Sequence, residues 1–378
     1  MERILISGGA GFIGSRTALK LLSLGYELSV VDNLSPQIHS VHPESSYLFQ
    51  SIKQKVNFIR GDVRELAVWQ KAIPNHDIII HLAAETGTGQ SMYQIDKYTE
   101  VNCGGTAKML DVLANTEHSV KKVIVASSRA IYGEGKYQCK THGVVYPKKR
   151  SQDNLSQGIF NPVCPICQGD LTLLSTDEQS RIQPESVYGI TKYTQEQMVL
   201  TSCQSLQIGA VALRYQNVYG PGQSLSNPYT GILSIFSTRI LNGNGINIFE
   251  DGQESRDFVY IDDVVNATIL ALQNMKETEC LALNVGSGVS TTVETVARRL
   301  KELYQSNISL SISGDYRLGD IRHNKADINL INKLYGYTPK VNIEEGLSKF
   351  VEWVKEQEVV SDHYEHTIEE LKKKGLIK

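Results

Sequence analysis

Short apolar runs punctuate the first half of the chain: Ile4–Ile6, Leu28–Val31, Val56–Ile59, Ile78–His81, Val123–Ser127 and Ile208–Arg214. Each has the length and composition of a buried strand. Segments of helical character separate them, over Ser15–Leu24, Glu65–Lys71, Ser91–Leu113 and Thr191–Cys203. Alternating strand and helix predicts an α/β fold built on a doubly wound parallel sheet. Right-handed crossovers then bring every strand's C-terminal end to one edge, where ligands bind. Gly8–Gly14, Asp32, Asp62–Val63, Leu82–Ala84, Ser127–Ser128 and Tyr215–Gly220 all fall at that edge.

From Tyr215 the pattern changes. Glycines, prolines and asparagines separate shorter elements near Ile246–Phe249, Arg256–Tyr260 and Leu281–Val285, with helices near Asp263–Gln273 and Thr292–Tyr304. This predicts a smaller α/β lobe over 215–356, interleaved with a first domain over 1–214. That first domain carries a Cys/His-bearing insertion at 134–175. The charged segment Gln357–Lys378 reads as a terminal surface helix. No internal repeat or low-complexity segment occurs.

Composition narrows the class. The chain has 378 residues, 41% hydrophobic and 21% charged, with a net charge of −3. No basic field suggests nucleic acid or an anionic membrane. No apolar run reaches the roughly 18–20 residues that span a bilayer. The first motif begins within ten residues of Met1, which leaves no room for a cleaved signal and points to the cytoplasm. The six cysteines are then expected as thiols rather than disulfides.

The first motif is the glycine turn after the first strand. Gly9, Gly11 and Gly14 fit G-x-G-x-x-G, and Gly8, Gly11 and Gly14 fit a second spacing. Such glycines let the backbone turn tightly against a pyrophosphate and let the following helix pack close to its strand. The helix N-terminus then offers free N–H groups and partial positive charge. Glycine turns also occur without a ligand, but here a second strand ends in Asp32. A carboxylate there accepts both ribose hydroxyls and repels a 2′-phosphate, so NAD is favoured over NADP. The setting is that of a Rossmann-type domain.

Further along, Tyr188 and Lys192 form Y-x-x-x-K on one helical face. An ammonium near the phenol favours tyrosinate, which can take a proton from a substrate hydroxyl. Ser128, ending a buried strand, could hydrogen-bond the same oxygen. Separately, these are also an exposed helical pair and a strand-end cap.

Taken in order, the motifs resemble the extended short-chain dehydrogenases, the NAD-dependent nucleotide-sugar epimerases and dehydratases. They are Gly8–Gly14, Asp32-Asn33-Leu34-Ser35, Gly61-Asp62-Val63, His81-Leu82-Ala83-Ala84, Asn102 with Gly105-Thr106, Ser127-Ser128 with Tyr132-Gly133, Tyr188 with Lys192, Arg214 to Pro221, Arg256 to Asp263, and Arg317 to Arg322. The resemblance implies that Gly8, Gly11, Phe12, Ile13, Gly14, Asp32, Asn33, Asp62, Val63, Leu82, Ala83, Ala84, Asn102, Tyr188 and Lys192 hold NAD, kept tightly bound. It implies Ser128, Tyr188 and Lys192 as catalytic residues. It implies Ser128, Asn217, Arg256 and Arg317 on a nucleotide-diphosphate sugar, with an arginine fork suited to the diphosphate. Thr86 and Thr88, after the fourth strand, are either sugar contacts or loop and helix-capping residues. The resemblance also implies a homodimer through the helices near Ser91–Leu113 and Tyr188–Cys203.

Within that family, dehydratases carry an Asp-Glu pair directly after the catalytic hydroxyl, and C3/C5 epimerases a cysteine one position later. Here the positions hold Arg129 and Ala130. What remains is epimerisation at one carbinol carbon, C4, by hydride removal and return. A nucleotide-sugar reductase or dehydrogenase of the same fold, or a non-catalytic NAD-sensing protein, are the alternatives.

The insertion contains Cys139-x-x-His142 and, after 21 residues, Cys164-x-x-Cys167. Three thiols and an imidazole at these spacings suit a closed tetrahedral zinc site with a structural role; the other reading is a loop of free thiols. The insertion and the run Ala84–Tyr93 are similar to the dTDP-L-rhamnose 4-epimerase branch of the family, whose product is dTDP-6-deoxy-L-talose for surface polysaccharide.

Overall fold

The computed structural model describes residues 2–40, 42–227, 229, 231–358 and 361–378. Its centre is a seven-stranded sheet: β1 (Arg3–Ser7), β2 (Glu27–Asp32), β3 (Asn57–Arg60), β4 (Ile78–His81), β5 (Lys122–Ser128), β6 (Gly209–Tyr215) and β7 (Cys280–Val285). The spatial order is β7-β6-β5-β4-β1-β2-β3, and every pairing is parallel. The fold is therefore the expected Rossmann-type doubly wound sheet. The order reverses between β1 and β4, which opens a crevice at their C-terminal ends.

The strands are apolar throughout because both faces are covered. Ile4, Ile6, Val30, Ile80 and Leu213 bury into one layer. Leu5, Val31, Ile79, Val125 and Ala212 alternate into the other. Helices α1 (Phe12–Ser23) and α4 (Ile261–Asn274) cover the first face, while α2 (Gly105–Asn115) and α3 (Val187–Ser205) cover the second. Among the described residues no helix is long and apolar enough to cross a membrane.

Four sequence expectations differ from the structure. The pattern assigns Leu281–Val285 to the smaller lobe, but these residues are β7, paired along β6. Arg256–Tyr260 is not one strand: Ser255–Arg256 and Phe258–Tyr260 pair with different partners. The break falls at Asp257, whose buried carboxylate accepts from the backbone of Ser287, Gly288 and Ala326. Ser91–Leu113 is not one helix. A turn follows Ser91, and Thr99–Gly104 forms a wide turn before α2. Asn102 in that wide turn grips the backbone of Glu85, and a Cβ on Gly105 would stand 2.8 Å from Val63.

Among its described residues the terminal segment is helical only over α5 (Tyr364–Lys373). Val359 and Val360 lie outside the described residues. After α5 the chain extends and pairs with the strap 316–322. Lys378 and Tyr316 exchange backbone bonds at 3.0 and 3.1 Å, and Leu318 N donates to Leu376 O at 2.9 Å.

The insertion forms a three-stranded antiparallel sheet of Gly143–Val145, Tyr137–Cys139 and Leu171–Leu173. Buried charges fasten it to the other side of the same strap. Arg150 pairs with Glu134 at 3.0 Å and Glu250 at 2.9 Å, and donates to Asp320 O at 2.7 Å. Arg322, 1% exposed, pairs with Glu250 and Asp251, and its N–H donates to Glu134.

Candidate active site

The β1–α1 turn is built for close approach. Gly8 has φ +70°, and a Cβ there would meet Ala83 N at 2.7 Å. At Gly14 a Cβ would stand 2.3 Å from Gly8 O, so only glycine lets α1 begin this near the turn. The first-turn N–H groups of α1 are left for a ligand. At the tip of β2, Asp32 accepts from Ala10 N at 3.0 Å and Leu34 N at 2.9 Å. Burial raises its pKa, against these bonds and the charge of His39.

Both features open on a cavity of about 470 Å³ over the sheet's C-terminal edge. Gly8, Gly11, Phe12, Ile13, Gly14, Asp32, Asn33, Val63 and Leu82–Ala84 line it, as do Thr86, Thr88, Ser128, Tyr188, Lys192 and Asn217. The glycine cradle, the free N–H groups and the Asp32 carboxylate fit a dinucleotide.

Four expected residues stand elsewhere or behind the wall. Asp62 lies beside Val63, held by Asn33 Nδ2 at 3.0 Å and by Arg64. Burial opposes its ionisation, but these bonds hold its carboxyl at about 2. Asn102 is fully buried, joining Glu85 to Thr191 of α3. Arg256 donates to the carbonyls of Ser255, Ile321 and Arg322. Arg317 sits 3.6 Å from Asp320 and over the Phe249 ring. Thr86 lines the cavity, and its carbonyl accepts the Tyr98 hydroxyl.

Ser128 ends β5, and Tyr188 is in the first turn of α3, which Ser186 caps by accepting from Gly189 N at 3.1 Å. Ser128 shares the cavity wall with the Tyr188 phenol and favours its ionised form, and Tyr98 packs edge-on to its ring at 6.4 Å. Burial pushes the phenol's pKa up, while Ser128 and the charge of Arg129 oppose that. Lys192 donates to Gln195 Oε1, not to the tyrosine, and burial brings its ammonium down to about 7. Beneath it Glu196 accepts two bonds from Arg214 and one from Ser127.

Arg129, Gln195 and Glu196 are residues that spacing does not reveal. The only sequence signal for the last is Arg214, a charge inside an otherwise apolar strand.

Away from the cavity, the ligand atoms of Cys139, His142, Cys164 and Cys167 lie within 4.8 Å of one another. Cys139 Sγ is 3.6 Å from His142 Nδ1 and 3.7 Å from Cys167 Sγ, and Cys164 Sγ is 3.6 Å from His142 Nδ1. Tetrahedral zinc with arms of roughly 2.3 Å to sulfur sets its ligands about 3.8 Å apart. The four residues fit such an ion.

A family model for NAD dependent epimerases and dehydratases matches residues 4–151 and 166–286. The chain belongs to that family. This epimerase/dehydratase is 35% identical over 361 residues to the dTDP-L-rhamnose 4-epimerase of Burkholderia thailandensis, covering 94% of this chain and 96% of the relative. It superposes with TM-score 0.74 on the UDP-glucose 4-epimerase of Thermotoga maritima solved with UDP-glucose, at 29% identity over 93% of this chain and 98% of that one. The Thermus thermophilus UDP-glucose 4-epimerase, solved with NAD, gives TM-score 0.71 at 25% identity, over 94% and 100%.

Proposed function

We propose that this epimerase/dehydratase is a NAD-dependent nucleotide-sugar 4-epimerase acting on dTDP-L-rhamnose. One observation carries the reading: Ser128, Tyr188 and Lys192 share a single cavity with the glycine turn and Asp32, and no acidic pair follows Ser128. The nucleotide and sugar rest on the similarity to the Burkholderia enzyme.

In this reading Gly8–Gly14, Asp32, Val63 and Leu82–Ala84 hold the dinucleotide. When bound, NAD supplies a hydride acceptor that gives the same hydride back. Tyr188 removes the proton of the C4 hydroxyl, and Ser128 orients that oxygen by a hydrogen bond. Lys192 holds the nicotinamide side of the site. The flat 4-ketose turns over, and Tyr188 returns the proton once C4 is reduced on its other face. Asn217, Thr86 and Thr88 line the sugar's space. Arg317, whose Nη1 stands 3.6 Å from Asp320 and whose Nε has no hydrogen-bond partner among the described residues, takes the diphosphate. With Arg129 and Ala130 in place of an acid–base pair, no group is set to expel water.

Mixing the protein with dTDP-L-rhamnose and following the sugar by NMR tests the reading. Inverted C4 without net NADH is the expected result. Stoichiometric consumption of added cofactor makes it a reductase or dehydrogenase, and no change with several nucleotide sugars removes the activity. Tyr188→Phe is expected to abolish turnover while bound NAD persists.

The thiol–imidazole cluster is read as a structural zinc site, supported by its ligand spacing. A homodimer through the helices at Ile95–Tyr98 and α3 is supported by Ile95 and Ile190, 54% and 51% exposed on those surfaces. The absence of a spanning helix among the described residues is consistent with a cytoplasmic site of action.

A further inference from the structure

Arg129 follows Ser128 on a single helical turn, Arg129–Tyr132. That turn is fixed from two sides. Ser128 Oγ caps it by accepting from Ala130 N at 3.1 Å. Gly189, one residue past Tyr188, packs so close that a Cβ would stand 2.6 Å from Ala130 O. Ser128, Arg129 and Tyr188 are thereby held together on the cavity wall.

Among the described residues, Arg129 and Lys192 are the lysines and arginines that line the cavity. Lys192 is engaged by Gln195, and the charge of Glu196 acts on it. The Arg129 guanidinium makes no hydrogen bond or ion pair with a described residue.

The charged groups facing Arg129 are Arg256, Asp320, Glu134 and the Tyr188 phenol. Arg256 repels it and is spent on carbonyls, Asp320 pairs with Arg317, and Glu134 pairs with Arg150. The phenol is the group left. Tyr188 is itself faced by Ser128 and Arg129 on the turn, and by the neutral ring of Tyr98 across the site. Burial brings the guanidinium down only to about 10, so it stays charged at neutral pH. A fixed cation beside a half-buried phenol favours phenolate.

We propose that Arg129 is a second charge partner of Tyr188 beside Lys192, a positioning residue that favours the phenolate needed to take the sugar's hydroxyl proton. The proposal rests on the reading of Tyr188 as the base.

Titration of tyrosinate absorbance in the NAD-loaded protein tests it directly. Subtracting the matching Tyr188→Phe protein in each background isolates Tyr188. Arg129→Gln is expected to move its titration up by about one pH unit or more, with NAD content unchanged. Arg129→Lys restores most of the shift. Where Arg129→Gln does not fold, Arg129→Met, which keeps the stem, is read instead. A Tyr188 titration indifferent to loss of the Arg129 charge overturns the proposal. Because this readout needs no turnover, an upward shift in a protein that fails to epimerise any sugar upholds the charge pair and sinks the epimerase reading alone. In the active protein, the acid limb of the kcat profile is expected to move with the titration.

Discussion

Glu196 shows how much a single buried charge carries beneath the active site. It is fully buried, and Arg214 reaches it twice, at 2.6 and 3.0 Å. Removing one member of such a pair leaves the other charge unsolvated, which costs about 3–5 kcal/mol. Glu196→Ala is expected to lose that much in denaturant unfolding, whereas changing an exposed pair such as Lys349 and Glu345 is expected to leave the unfolding midpoint nearly where it was. Gly14→Ala is expected to purify without NAD, because its Cβ would enter the Gly8 carbonyl and force the turn open; cofactor release on denaturation measures it. The glycine turn was legible from sequence because the missing side chain is itself the signal. Arg129 was not. A lone arginine after a serine has no diagnostic spacing, and its part emerges only when its neighbours are seen to be paired elsewhere.

At the scale of elements, the strands were legible for the opposite reason: each is apolar enough to demand two covered faces. The helix over Ser91–Leu113 was misread because periodicity records which face is buried, not where a side chain such as Asn102 breaks the backbone ladder to hold a loop. Asp257 did the same to Arg256–Tyr260. The insertion shows what motif spacing can give. Its own apolar cluster is only Tyr137, Cys139, Val145 and Cys164, with Leu171 and Leu173 at the margin. In the proposed reading a metal at the thiol–imidazole cluster adds folding free energy to so small a core. One zinc per chain is expected in the wild type and none in Cys164→Ser. Hydrogen exchange in that variant should quicken over 137–173 and leave the central sheet protected. On α3, Ile190→Arg is expected to halve the mass seen by light scattering, since a charge would be buried in the proposed dimer face.

At the scale of the whole molecule, the strap 316–322 is gripped from two directions. The extended end of the chain pairs along one part of it, and the insertion's Arg150 and Glu134 hold the other. Arg317 lies on the strap, and Arg256 donates into it through Ile321 and Arg322. A metal that orders the insertion and a diphosphate that draws on Arg317 would therefore act on one mechanical part. Thermodynamic linkage makes such an influence mutual: whatever factor the ion adds to nucleotide-sugar affinity, the nucleotide sugar must add to affinity for the ion. Saturating dTDP-L-rhamnose should slow the release of zinc to a chelator, and the stripped protein should show a raised KM with NAD still in place. Equal release rates with and without the sugar would mean that the strap transmits nothing.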